Sequence, residues 1–442
     1  MCSYPSKKKL SGWGRYPKIK TTEVIPDSES QLLEILRANG SFIARGNGRA
    51  YGDAAINKDL TITMTKMDKF LGWSQESGEL IAEAGVLIED IIETLLPRGW
   101  FPYVTPGTKF VTLGGAIACD VHGKNHHLEG SFGDHVNWID VVNDKNEIIR
   151  CSQLENTELF RWTIGGMGLT GVIIRCSIQL KKVTSGWIKQ RTIVNHNLKD
   201  TLQSFYDCQD ATYSVAWIDC LKTGNSCGRS VLMLGEHATA NEVEEGALIY
   251  PKRKKQRMTF FFDGPSFLLN NLSVLLFNKF YFNLNKNSGC SYVDWDSYFF
   301  PLDSIGKWNK MYGRKGFIQF QCILPNELAA DGYKRILSVI QEQSSGSFLA
   351  VLKQFGIGKG YLSFPDEGFT LALDFKATKK NIEVARQLAD IVYELSGTVY
   401  LAKDAILDAK QFDSQISKKY KRIFSKFRNK YTSSQQSIRI NL

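Results

Sequence analysis

Paired cysteines are missing from this chain. Its nine cysteines stand singly between Cys2 and Cys322 with no CxxC spacing, which argues against a zinc ribbon or a disulfide framework and suits reduced thiols in a cytosolic compartment. Long apolar runs are missing too, since no stretch reaches the roughly 20 consecutive apolar residues that a membrane-spanning helix needs. The basic opening, MCSYPSKKKLSGWGRYPKIK, lacks the apolar core of a secretory signal. A protein without signal peptide or transmembrane helix is expected, cytoplasmic or peripheral at a membrane. Zinc-finger spacing, a helix-turn-helix pattern and an RNA-recognition signature are absent, so nucleic acid is not expected as a partner even at a net charge of +10. Histidine is scarce: there are six in 442 residues.

The composition that remains, 43% hydrophobic and 23% charged, belongs to folded globular domains, and the length suggests two or three of them. The positive charge favours an acidic partner, either a phosphate-bearing ligand or an anionic membrane. Four of the six histidines, His122, His126, His127 and His135, fall in or just after the glycine-rich stretch from Thr105 to His127. Packing alone does not explain that concentration.

In chain order, Asp27 to Asn39 is predicted to be a helix capped by Asp27 or Ser28, with Leu32, Leu33 and Leu36 on one face. An apolar strand, SFIARG, then runs into Gly46, Asn47, Gly48, Arg49, Ala50, Tyr51, Gly52 and Asp53. Three glycines in seven residues at a strand end allow a turn whose N–H groups converge on phosphate oxygens. An ordinary glycine-rich hairpin is the competing reading.

Leu80 to Gly85 alternates like a strand, and Val86 to Leu96 carries apolar residues at helical spacing before Pro97 to Gly99 stops it. From Thr112 through Leu113, Gly114 and Gly115, small residues let a backbone lie flat against a ligand. His122, Gly123 and Lys124 then supply donors and a fixed charge. His122 and His126 are four apart, as on a zinc-binding helix, but Gly123 between them and the lack of an HExxH glutamate argue against a metal. No metal site is expected.

Val136 to Val142 and Glu147 to Cys151 read as a hairpin, Leu154 to Thr163 as a helix and Gly171 to Leu180 as a buried strand. The texture changes near Lys182 to Gly186, where a domain boundary is expected. Beyond it, PKRKKQR (Pro251 to Arg257) precedes an interrupted aromatic segment, Met258 to Phe282, a pattern of interfacial contact with an anionic membrane or of a solvated loop before a buried helix. VLKQF (Val351 to Phe355) and LSFPDEGFTLALDF (Leu362 to Phe375) read as paired strands with Lys353 as an isolated cation. Val399 to Asp404 should place Tyr400 and Lys403 at the end of another strand, and Gln411 to Lys430 reads as one amphipathic helix with a basic face.

RGNGRAYGD (Arg45 to Asp53), GTKFVTLGGAIACDVHGKNHH (Gly107 to His127), ELFRWTIGGMGLTGVI (Glu158 to Ile173) and YLAKD (Tyr400 to Asp404) together resemble the flavin oxidoreductases of the vanillyl-alcohol oxidase superfamily. GWGR (Gly12 to Arg15), VLKQF and LSFP extend the likeness over nearly the whole chain, and the decaprenylphosphoryl-ribose-oxidising branch is the most similar. The fold this resemblance implies is α+β: a two-subdomain PCMH-type FAD-binding domain over residues 1–184, a cap domain over 185–398 on an antiparallel sheet with flanking helices, and a segment 399–442 returning to the FAD domain.

The resemblance also implies the site. Ala44, Arg45, Gly46, Asn47, Gly48, Arg49, Ala50, Tyr51, Gly52, Asp53 and Ala54 would wrap the FAD pyrophosphate. Gly107, Thr112, Leu113, Gly114, Gly115, Cys119, Asp120, Val121, His122, Ile174 and Tyr400 would hold the rest. Covalent relatives carry a histidine where this chain has Arg49, so the FAD should be non-covalent.

The implied reaction takes a sugar secondary alcohol to a ketone, with Lys403 the first choice as catalytic group beside His122 and Tyr51. Lys124, Gln321, Lys353, Thr370 and Lys403 would line the substrate. Ala372 and Thr370 stand where the branch has cysteine and asparagine. The implied substrate is a polyprenyl-phosphate-linked ribose or another polyol, with a short-chain dehydrogenase as partner reductase. A soluble aldonolactone or sugar-alcohol oxidase is the second expectation, and a flavin-free lipid-binding or assembly protein the third.

Overall fold

The computed structural model describes residues 5–265, 270–285, 289–416 and 418–442. Its first sheet has four strands in the order Ser6–Ser11, Lys18–Val24, Leu60–Thr63 and Phe42–Arg45, the last three mutually parallel. The helix Glu29–Ala38 supplies the crossover between parallel strands and buries Leu32 and Leu36 against Phe42, Leu60 and Ile62.

The second sheet is antiparallel about one long apolar strand, Val172–Lys182, flanked by Glu79–Glu83 and Val136–Val142. Ile88–Leu95 is helical because Ile88, Ile91, Ile92 and Leu95 share one face, all of it buried, and Gly99 at φ 82° ends the short turn that follows.

Eight antiparallel strands make the third sheet, in the order Cys290–Asp294, Trp187–Asn195, Ser230–His237, Tyr213–Ile218, Ala350–Phe355, Gly368–Lys376, Phe317–Leu324 and Thr398–Val399. Period-two alternation gives this sheet two unlike faces. Ala216, Ile318, Phe320, Cys322, Leu352, Leu371 and Leu373 point into a core shared with the helices Leu198–Asp207, Asn326–Glu342 and Lys379–Glu394. Val215, Trp217, Gln319, Gln321, Val351, Lys353 and Ala372 point the other way, into a cavity.

Local expectations needed four revisions. Thr112 to Ala118 is no flat segment but a helix, Leu113–Ala118, whose cap Thr112 accepts from the N–H of Gly115. The strand expected from Leu362 begins only at Gly368, after Pro365 and the turn around it. The last strand stops at Val399: Tyr400 makes one more sheet bond, to Gln321 O, and the chain then turns with Lys403 N–H donating to Tyr400 O. The tail is two short helices, Ala409–Gln415 and Lys418–Phe424, because Ile416 is extended at φ −117°, ψ 131°.

Residues beyond the last strand run back to the first sheet. Phe42 N–H donates to Tyr431 O, Asn57 Nδ2 to Ser433 O, and the Arg439 guanidinium bridges Asp53 at 2.7 Å and Asp404 at 3.0 Å.

Candidate functional site

A cavity of about 500 Å³ lies between the loop after Phe42–Arg45, the helix Leu113–Ala118 and the open face of the third sheet. The sequence shapes its glycine end directly. A Cβ on Gly46 would stand 2.1 Å from Thr112 Oγ1, so the two glycine-rich segments touch only because that side chain is absent. Gly48 has φ 63°, and a Cβ there would strike the Arg45 guanidinium. Arg45 is therefore a support beneath the loop, donating to Ser11 O at 2.8 Å.

Among the described residues no protein acceptor takes the backbone N–H groups of Gly46 to Ala50, although Ala50 O and Tyr51 O accept from Trp13 and Gly14. Arg49 stacks on Trp13 at 4.1 Å with its Nε buried and without a partner. Around a cradle of free N–H groups, Gly107 opens into space with nothing within 4 Å of an added Cβ. These features fit the dinucleotide that the sequence suggested. Ala44 to Tyr51, Ala54, Gly107, Thr112, Gly114, Gly115, Cys119, Val121, His122 and Tyr400 all line the cavity.

Several expected contacts lie elsewhere. Asp53 is spent on Arg439, and Gly52 packs under Asp404 O, where a Cβ would stand 2.1 Å away. Leu113 faces the core. Ile174 is buried with Val142 and Val172, and its neighbour Ile173 takes the cavity wall, as strand alternation requires. Asp120 accepts from Gly133 N–H and Ser131 Oγ, each at 2.8 Å, with burial pushing its carboxyl up to about 6. It shapes the Cys119–His122 loop from behind. Thr370 meets Gln321 rather than the cavity.

At the centre His122 is held on both nitrogens, by Gln321 Nε2 and by Lys353 Nζ, each at 3.0 Å. Burial above all holds this imidazole neutral, well below its ordinary value. Phe355 and Tyr400 pack against its ring, and Tyr400 OH donates to Cys119 O at 2.8 Å. The other three histidines of the cluster each make one hydrogen bond: His126 Nδ1 accepts from Gly356 N–H, His127 Nε2 meets Ala211 O and His135 Nε2 meets Glu129 O.

Three lysines face this space. Burial pulls Lys124 and Lys353 down to about 7 and Lys403 to about 8, the last opposed by the negative field of Asp374. Lys403 Nζ rests 3.9 Å from the Tyr51 ring centre. Amines brought this close to neutrality exchange protons readily near neutral pH.

Sequence reasoning missed Asp374 and Asp303. Asp374 is buried, accepts from Gln319 Nε2 at 2.5 Å and has its carboxyl raised to about 7 by burial. Asp303 lines the cavity beside Arg49, accepts from Lys109 N–H at 2.9 Å and is raised by burial to about 6. For Asp374 a signal existed: Gln319 and Gln321 are two apart, and Thr370 and Asp374 four apart with Ala372 between them, so each pair shares one face of an otherwise apolar strand. Another part of the wall, Val215, Trp217, Met233, Phe277, Tyr281 and Phe348, is apolar or aromatic.

Residues 22–152 match the FAD binding domain family. The chain is 32% identical to decaprenylphosphoryl-beta-D-ribose oxidase of Mycolicibacterium smegmatis over 92% of its own length and 90% of that protein. Its likeness to L-gulonolactone oxidase of Bos taurus is 26% over 39% of this chain and 40% of the relative. To cytokinin dehydrogenase 2 of Arabidopsis thaliana it is 27% over 36% and 32%. The cofactor is FAD, and the expectation of a flavin-free binding protein is set aside. The chain belongs to the family of FAD-dependent oxidoreductases that includes decaprenylphosphoryl-β-D-ribose oxidase.

Proposed function

We propose that the enzyme oxidises the 2'-hydroxyl of a polyprenylphosphoryl-β-D-ribose to a ketone, the first half of an epimerisation that a short-chain dehydrogenase partner completes. The observation that carries this reading is the division of one cavity. His122, Gln321, Lys353 and Lys403 gather at one part of the wall, while Trp217, Met233, Phe277, Tyr281 and Phe348 make another. A sugar with a hydrocarbon aglycone uses both parts. A small aldonolactone or polyol leaves the apolar part without a ligand.

Bound FAD supplies the hydride acceptor. The chain's own residues do the rest. The N–H groups of Gly46 to Ala50 and the Arg49 guanidinium hold the pyrophosphate, and Tyr400 orders the Cys119–His122 loop from the turn after the third sheet. Gln321 and His122 orient the ribose hydroxyls. Lys403, next to the Tyr51 ring, holds or removes the hydroxyl proton. Arg49, packed on Trp13, gives no nucleophile for a flavin bond, so the flavin should be released by acid precipitation.

Contact with an anionic membrane is part of this reading. The helix Asn271–Leu284 buries Val274, Asn278 and Phe282 and leaves Leu272, Leu275, Leu276, Phe280 and Leu284 outside, and Phe261 and Phe262 are also exposed. Arg253 and Lys254 of the basic segment are tied to Glu89, Glu93 and Asp294, which leaves Lys252, Lys255 and Arg257 for lipid headgroups. Among the described residues no helix is long and apolar enough to cross a membrane.

Anaerobic mixing tests the substrate. Flavin bleaching by farnesylphosphoryl-β-D-ribose, with none by xylitol or a free lactone, is expected. The reverse pattern removes the proposal.

A further inference from the structure

The two amines at the histidine end of the cavity lack what buried ammonium groups ordinarily require. Lys124 Nζ donates to Tyr298 O and lies 4.0 Å over the Tyr298 ring, and Lys353 Nζ reaches Gly123 O at 3.2 Å and His122 Nδ1 at 3.0 Å. Among the described residues no carboxylate forms an ion pair with either, whereas Lys109, at the far side of Asp303, has two, Asp296 at 2.7 Å and Glu89 at 3.6 Å. A partly buried cation with no counter-charge gives up its proton or waits for an anion.

Hydrogen bonds show which. Thr370 has one hydroxyl proton, given to Cys322 O at 2.9 Å, so its Oγ1 accepts from Gln321 Nε2 at 3.1 Å. The same amide nitrogen therefore faces His122 Nε2 as a donor. His122 Nε2 is then an acceptor, and the ring's one proton sits on Nδ1, pointing at Lys353 Nζ. Only a neutral amine accepts that proton. A neutral Lys353 in the substrate-free cavity satisfies that bond, in keeping with the burial that pulls both lysines down to about 7.

We propose that Lys124 and Lys353 form a subsite for the anionic group of the substrate, and that they take up protons from solvent when that group enters. The proposal rests on the phosphoryl-sugar reading above. It adds where the phosphodiester sits and how its charge is met. On entry of the anion, Lys353 becomes an ammonium and donates to Nδ1. The imidazole proton then shifts to Nε2, the Gln321 amide turns its oxygen to receive it, and the Thr370 hydroxyl turns its proton from Cys322 O to that same oxygen. Binding should weaken as pH rises above about 7, because protons must be supplied for the anion to be held.

The test is calorimetry on FAD-loaded protein with the flavin pre-reduced, so that no turnover occurs. At pH 8, in buffers of different ionisation enthalpy, farnesylphosphoryl-β-D-ribose should bind with uptake of about one to two protons and about tenfold or more tighter than neutral farnesyl β-D-riboside. Lys124→Met and Lys353→Met should weaken the phosphoryl probe about tenfold and leave the neutral one within about twofold. Lys353→Arg, permanently charged, should keep affinity and lose a proton of uptake. Labelled His122 should change from the Nδ1–H to the Nε2–H tautomer by ¹⁵N NMR.

Retained flavin colour and melting temperature certify each variant as folded. Equal affinity for the two probes, no buffer dependence, equal weakening of both probes in the methionine variants, or no binding of either overturns the subsite. Uptake-coupled binding of the phosphoryl probe without oxidation of it by the oxidised enzyme sinks the oxidase reading alone. Oxidation of both probes at equal affinity sinks the subsite alone.

Discussion

The loop from Gly46 to Ala50 meets the cavity with backbone N–H groups and a single cation, Arg49, whereas the open face of the third sheet meets it with Gln319, Gln321, Val351, Lys353 and Ala372. The loop works by what is missing: its glycines let two segments approach, and any Cβ alters the shape. The sheet face works by what is attached, because strand alternation sends every second side chain into one space whatever its chemistry. Damage to the loop should therefore appear as lost cofactor, and damage to the sheet face or to Lys403 as lost chemistry on a coloured protein.

The largest effect is expected at Lys403. Lys403→Ala should keep the flavin spectrum yet slow reduction by substrate about 10²- to 10⁴-fold in anaerobic stopped flow, the range of a positioned acid or base. Reduction at the ordinary rate would falsify the assignment and leave the sheet side without its chemistry.

Gly46→Val tests the other side of the contrast. Its Cβ would fall 2.1 Å from Thr112 Oγ1, and overpacking of about 1–3 kcal/mol corresponds to about 5- to 150-fold weaker FAD retention, read by gel filtration and flavin absorbance. Wild-type retention would mean that the close approach is not needed.

A subtler change follows from Asp374→Asn. The carboxylate's field raises Lys403, while burial lowers it to about 8. Without the negative charge Lys403 loses its proton at lower pH, so the limb of the rate profile governed by Lys403 moves to the acid side with FAD affinity unchanged. A shift toward alkaline pH would contradict the sign.

Least is expected of Ala372→Cys, which faces Gln321 and Val351 in register. The new thiol should be alkylated by iodoacetamide and protected by substrate, with the flavin spectrum as in the parent. An unreactive thiol would place Ala372 away from the substrate space.

Much of the loop side was legible in the sequence because glycine clusters and helix stops are local. RGNGRAYGD and the helix Ile88–Leu95 lie where residue spacing put them. The sheet side was only partly legible. Lys353 stood out as an isolated cation in an apolar strand and Gln321 came only from the family resemblance, but that Gln321 sits across from Ala372 and Lys353 across from Thr370 is set by register, a pairing of distant strands. Asp374 read as one more polar residue in LALDF because its partners, Gln319 and Tyr312, are more than fifty positions away. Asp53 looked like part of the cofactor loop until Arg439, near the far end of the chain, was seen to claim it.

That ion pair has a consequence for biosynthesis. The cofactor loop is tied through Tyr51 N–H to Ala402 O and through Asp53 to Arg439, 386 positions further on, so an early part of the cavity is fastened by residues translated much later. A nascent chain that has made every glycine of the cradle still lacks this fastening until Arg439 leaves the ribosome.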